Sequence, residues 1–192
     1  MKMKHWLVAT LVCGIFSITT SGQQSARPAS KPADSGPSLA VTMQLIQSKL
    51  NEQGKLNWTT YYHDSADGTN WTYKLSFEAS KVVADASACM IGYHYNITRE
   101  GVMLSNDDAS FSLHDVQDVT LTTGDQRQNK NDAATGHTTW TAKVDPPIFD
   151  LMVRGQEKAE FYFFFTDEDT ANRVTKAMGH AVELCGGSRG TF

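Results

Sequence analysis

Cysteine, proline and charge are all scarce in this chain. Three cysteines among 192 residues are too few for a small scaffold stapled by several bridges. Five prolines, three of them before residue 38, leave the rest of the sequence free to form regular elements. Only 20% of residues are charged, with Lys+Arg 17 against Asp+Glu 21 and a net charge of −4. That is no basic surface for a phosphate backbone, so nucleic acid is not an expected partner. No internal repeat recurs at a period of roughly 20 to 50 residues, and no apolar run reaches the ~20 residues of a spanning helix. What is present is 40% hydrophobic and 10% aromatic, which excludes global disorder and suffices for one folded core.

The first 22 residues have the pattern of a secretory signal. Lys2 and Lys4 give a basic start, an apolar run extends from Trp6 to Ile18, and Thr20 and Gly22 supply small residues before a cleavage site at Gln23. Cys13 follows Leu11 and Val12 rather than a small residue, which argues against a lipid-modified cysteine. Residues 23–37 (QQSARPASKPADSGP) read as a flexible leader. The expected organisation is a signal at 1–22, a leader at 23–37, one domain at 38–187 and a tail at 188–192. The expected location is periplasmic or extracellular, with no transmembrane segment once the signal is removed. Loss of Cys13 leaves Cys89 and Cys185, an even count in an oxidising compartment, and so one expected disulfide. Closing a loop of about 100 residues contributes at most about 4.7 kcal/mol in the chain-entropy picture.

Ser38 is placed to cap a helix in which Leu39, Met43, Ile46 and Leu50 share a face, with Gly54 to end it. The period then changes to two. Trp71, Tyr73, Leu75 and Phe77 alternate with Thr72, Lys74, Ser76 and Glu78, with residues 56–62 as an expected partner strand across a turn rich in Asp, Gly and Asn. Cys89, Ile91, Tyr93, Tyr95 and Ile97 share one strand face, and Met90, Gly92, His94 and Asn96 the other. Further strands are expected at Phe111 and Leu113, at Val119 and Leu121, at Trp140 to Val144, at 148–153 and at 160–165, about eight in all. Residues 124–136 (GDQRQNKNDAATG) read as a polar surface loop. Thr166 with Asp169 approximates a capping box for a last helix, whose apolar stripe runs through Ala171, Val174, Met178, Ala181, Val182 and Cys185 to stop at Gly186 and Gly187. The fold class is therefore α+β: an antiparallel, partly closed barrel of about seven to eight strands with an N-terminal helix and a C-terminal amphipathic helix packed on it.

Residues 111–119 (FSLHDVQDV) and 161–185 (FYFFFTDEDTANRVTKAMGHAVELC) resemble the strand, acidic turn and strand, and the last strand and helix, of the pleckstrin-homology and GRAM-like small barrels. The resemblance covers 34 of the 192 residues. It implies a small binding or scaffold barrel. It does not imply phosphoinositide binding, because the basic cluster of the lipid-binding members has no counterpart at residues 64–70.

Chemistry is hard to find in the sequence. His63, His94, His114, His137 and His180 form no HExxH or tight pair, so no metal and no cofactor are expected. His63 and Asp64, and His114 and Asp115, are chain neighbours, which on a strand point to opposite faces. Serine lacks a nucleophile elbow, and GGSRG at 186–190 follows a helix instead of opening one, so it is no phosphate cradle. Asp125 to Asp132 is only superficially like a calcium loop, since Arg127 and Lys130 occupy positions needing a ligand and a glycine. Three N-x-T matches at Asn57, Asn70 and Asn96 are taken as chance. No catalytic residue is assigned. The residues expected to face any ligand are Tyr73, Tyr93, Tyr95, His94 and Trp140. The reading is an exported noncatalytic binding or interaction module whose partner is a protein or a small apolar ligand. Its alternatives are a carrier with an aromatic-lined cavity, and an enzyme whose site gathers distant histidines such as His63, His94 and His114.

Overall fold

In the computed structural model the described residues are 36–187. The expected signal, nearly all of the expected leader and the expected tail lie outside them. Ser38 Oγ accepts the Val41 N–H at 3.4 Å and starts α1 (Leu39–Glu52), and Gly54, at φ +61°, lets the chain leave it. Met43, Ile46 and Leu50 on the expected face are fully buried, on a helix that packs against the strand Asn70–Asp85 and the last helix.

A four-strand meander follows: β1 (Lys55–Asp64), β2 (Asn70–Asp85), β3 (Met90–Arg99) and β4 (Val102–Ser112), each antiparallel to the one before. Then come β5 (Asp118–Thr123), α2 (Gly124–Ala134), β6 (Trp140–Asp145), β7 (Phe149–Arg154), β8 (Glu160–Phe165) and α3 (Glu168–Leu184). The strands pair as two sheets, one ordered β4-β3-β2-β1-β6 and the other β5-β7-β8. The α+β class and the eight strands agree with the sequence reading. Closure does not: no ladder joins the sheets among the described residues, so they are two open sheets packed through side chains. Period-two patterning assigns each strand a face but no neighbour, which is why the pattern suggested a barrel that the ladders do not close.

The consecutive phenylalanines of β8 bind the two sheets together. Phe164 lies 5.2 Å from Trp58 and 4.7 Å from Phe77, whereas Phe163 lies 4.7 Å from Tyr93 and Phe161 4.6 Å from Phe111. One face of β8 therefore serves β1 and β2 and the other serves β3 and β4. Helix α3 covers β5, β7 and β8 with the expected stripe, in which Ala171, Val174, Met178, Ala181 and Val182 have no exposed surface. Its cap is Asp167, whose carboxylate accepts the Thr170 N–H at 2.7 Å, instead of the expected Thr166. An aspartate one residue nearer the first turn also places its charge at the positive end of the helix dipole. At the other end the Gly187 N–H reaches Val182 C=O at 2.9 Å and the Gly186 N–H reaches Glu183 C=O at 3.0 Å, a Schellman closure. Cys185 at this cap is joined to Cys89 just ahead of β3, 96 positions away in sequence, with the Cα atoms 5.9 Å apart.

Residues 124–136, read as a loop, are mostly the helix α2. Thr123 and Gln126 form a reciprocal capping box there. The helix has no apolar stripe, so hydropathy gave no periodic signal. It is held by side-chain hydrogen bonds to the edge of β6. Asp125 Oδ1 accepts the Val144 N–H at 2.7 Å, Asn129 Oδ1 accepts the Ala142 N–H at 2.7 Å, and Asn129 Nδ2 donates to Ala142 C=O at 3.1 Å. The spacings match: four helical residues rise about 6 Å, close to the roughly 6.7 Å between alternate strand residues. Gly124 is needed at the junction, because a Cβ there would come within 2.6 Å of the Ile148 side chain.

Candidate functional site

The five residues expected to face a ligand fall in three places. Tyr73 and Trp140 meet at the outer end of the large sheet, joined by Tyr62 and Trp71. Tyr62 and Trp71 are parallel with centroids 4.9 Å apart, Trp140 meets Trp71 edge to face at 4.9 Å, and His137 stacks on Trp140 at 3.6 Å. Polar ends are satisfied internally: Trp140 Nε1 donates to Asp64 Oδ2 at 3.0 Å, the Tyr62 and Tyr73 hydroxyls are 3.0 Å apart, and Tyr73 Oη donates to Gln128 Oε1 at 3.3 Å. Arg99 lies over the Tyr73 ring at 4.2 Å. Burial, then the bond to Tyr73, pushes the Tyr62 phenol far above its ordinary range. These rings form a small satellite core packed on one another, in which Tyr62 is buried and Trp71, Tyr73 and Trp140 are half-buried.

Tyr93 is buried against Phe163, and burial pushes its phenol up as well. Tyr95 is half-buried and its hydroxyl accepts from Ser105 Oγ at 3.2 Å. The apolar pocket among Leu50, Leu56, Phe77, Phe163 and Phe164 has a volume of about 10 Å³, room for about one water and not for an apolar ligand.

His94 is on the opposite face of β3. Its Nδ1 lies 2.9 Å from Asp108 Oδ1 on β4, its cross-strand neighbour. In sequence His94 shares its strand face with Asn96, and only the β3–β4 register makes Asp108 its partner. The pair borders an open depression of about 310 Å³ whose lining includes Lys81, Gly92 and Ser110. His63 is bonded instead to Asn70 Oδ1 at 3.0 Å. It stands opposite Asn70 on β2 while His94 stands opposite Ser80, about ten positions and roughly 30 Å along that strand. His114 is in the turn after β4, near Gly186. The three histidines share no partner. His180 has Nε2 2.9 Å from Pro37 C=O. Among the described residues no three His, Cys, Asp or Glu side chains gather as a metal site, and no helix is long and apolar enough to cross a membrane.

Two further features were invisible in the sequence. Arg127 on α2 forms a close ion pair with Asp150 on β7, which is 1% exposed. Burial pushes the Asp150 carboxyl up to about 6, opposed by Arg127 and assisted by Glu160. The second is the edge strand β4. The Leu113 N–H reaches Cys89 C=O at 2.8 Å, which fixes the alternation of the antiparallel ladder. The odd-numbered residues of 105–111 exchange bonds with β3, and the backbone groups of Asn106, Asp108, Ser110 and Ser112 face outward. Among the described residues no backbone bond reaches them. The Asp108 N–H alone is engaged, by Asp107 Oδ1 at 2.9 Å.

The sequence matches no family model, and neither a curated protein nor a solved structure matches it.

Proposed function

We propose that the protein is an exported, noncatalytic interaction module that engages another polypeptide. The observation that carries the reading is the outer side of β4, which no backbone of the described residues pairs with, an 11-residue edge strand with Val102, Met103 and Leu104 exposed at its start. The histidines that could do chemistry are held in separate local contacts, and the aromatic rings are spent on one another. The Cys89–Cys185 bond is compatible with an oxidising compartment, to which the signal at 1–22 would direct the chain. In this reading the two open sheets and closing helix are a pleckstrin-homology-like arrangement serving as a scaffold for the exposed edge.

Two measurements test it. The unreduced intact mass of the exported protein should correspond to a chain beginning at Gln23, two hydrogens lighter than its dithiol form and without a bound small molecule. An unprocessed or thiol-bearing chain would overturn the export reading, and a retained apolar molecule would replace the module with the carrier. A photo-crosslinking residue at Met103, activated in the exporting cell, should give a polypeptide adduct. A bare chain there, and at other positions along β4, would end the interaction reading.

A further inference from the structure

We infer that the outer edge of β4 takes an extended, cationic segment of a partner polypeptide as a sixth strand of the large sheet, an assignment that rests on the interaction reading above. The register from Ser105↔Ile97 to Ser112↔Met90 is unbroken over eight residues, about 27 Å of edge. Across it the groups of Asn106, Asp108, Ser110 and Ser112 alternate outward as a partner strand requires. The irregularity between Ile97 and Thr98 ends this stretch and leaves Leu104 without a cross-strand partner, beside exposed Val102 and Met103. That end offers apolar contact. At the other end an open groove of about 410 Å³ lies between Ser110, Phe111 and Ser112 and the β7–β8 connection at 155–159, giving room for side chains of an added strand.

Charge selects the occupant. β4 carries Asp107 and Asp108 and no cation. In the pleat, Asp107 is on the face of Tyr95 and Asp108 on the face of His94, so an added strand meets a carboxylate on both of its faces. Asp108 is 86% exposed. A second copy pairing antiparallel over this segment would bring four such carboxylates together, which disfavours a self-paired edge. A strand with lysine or arginine on alternate positions turns the same groups into cross-strand ion pairs and gains a faster, salt-sensitive encounter.

The test uses the disulfide-bonded exported protein and two capped ten-residue peptides, one alternating valine with lysine and one alternating valine with glutamate, followed by backbone amide NMR and hydrogen exchange. The lysine peptide should shift and protect the amides of Asn106, Asp108, Ser110 and Ser112, with affinity falling about tenfold between low and high salt. Ser110→Pro removes an outward N–H that the ladder with β3 does not use, and should weaken binding at least about tenfold with unchanged melting. The double variant Asp107→Lys, Asp108→Lys should prefer the glutamate peptide. Shifts outside β4, or equal binding by Ser110→Pro, would overturn the strand-addition site; equal binding of both peptides would overturn the cationic assignment. If the Met103 crosslink captures a polypeptide while neither peptide binds, this inference falls and the module stands. If both experiments are blank, both fall.

Discussion

At β6, Asp125 and Asn129 of α2 occupy the outward backbone groups of Val144 and Ala142, so this end of the large sheet offers no ladder to another chain. At β4, on the far side of the same sheet, the equivalent groups of Asn106, Asp108, Ser110 and Ser112 meet no backbone partner among the described residues. One edge is sealed by a polar helix that buries almost no apolar surface, and the other is left open with two acids along it. Unpaired edges invite association. Within the large sheet, sealing one and leaving the other concentrates that tendency at β4, and the seal depends on a few polar contacts that can be removed one at a time.

The largest effect is expected at the pin that holds α2. Arg127→Ala leaves Asp150 buried without its cation and should cost about 3–5 kcal/mol near neutral pH, with faster amide exchange at Ala142 and Val144. If exchange at β6 is unchanged, α2 is held without this pair. Opening the disulfide with Cys89→Ser and Cys185→Ser should cost about 2–4 kcal/mol, measured by denaturant unfolding. It should loosen β4 more than β6, because Cys89 adjoins the Leu113 end of β4, at the opposite edge of the large sheet from β6.

Acid supplies a third test. The folded pKa of Asp150, about 6, lies above the ordinary value near 4 in an unfolded chain, so its protonated form favours the native state. That contribution is complete below about pH 4 and is lost as pH rises through about 6. It amounts to about 3 kcal/mol over the window. Asp150→Asn should flatten this part of the melting profile, and an unchanged slope would reject the burial argument. Asn129→Ala orphans both backbone groups of Ala142 and should cost about 1–3 kcal/mol, again read by exchange at β6. The smallest effect is expected at the open edge, where Ser110→Pro should change stability by less than about 1 kcal/mol while Ala109→Pro, which deletes a bond to β3, should cost about 3 kcal/mol. Equal costs would mean that the assigned alternation is reversed.

The two edges also separate what could be read in the chain from what could not. Ser38, Gly54, the stripe on α3 and the facing positions of Cys89 and Cys185 were legible, because each follows from local spacing against a 3.6 or 2.0 period. Helix α2 was not, since residues 124–136 carry no apolar period and are ordered by backbone groups of a strand that follows them. His94 was legible as an outward histidine, but its partner Asp108 was not, because a register is needed to bring it across. The aromatic residues Tyr73 and Trp140 were grouped with Tyr93 and Tyr95 by type, whereas the sheet places the first two in a satellite core and the second two along β3.

Length, periodicity and cysteine count by themselves determined an α+β chain with a leading helix, about eight strands, a closing amphipathic helix and one cross-link. Tertiary structure alone decided which strands are neighbours, that the sheets remain two, which edge is sealed and which is open. The reason is physical: side-chain period fixes the face a strand buries, while the hydrogen bonds along its edges look the same from the sequence whichever strand, helix or partner receives them.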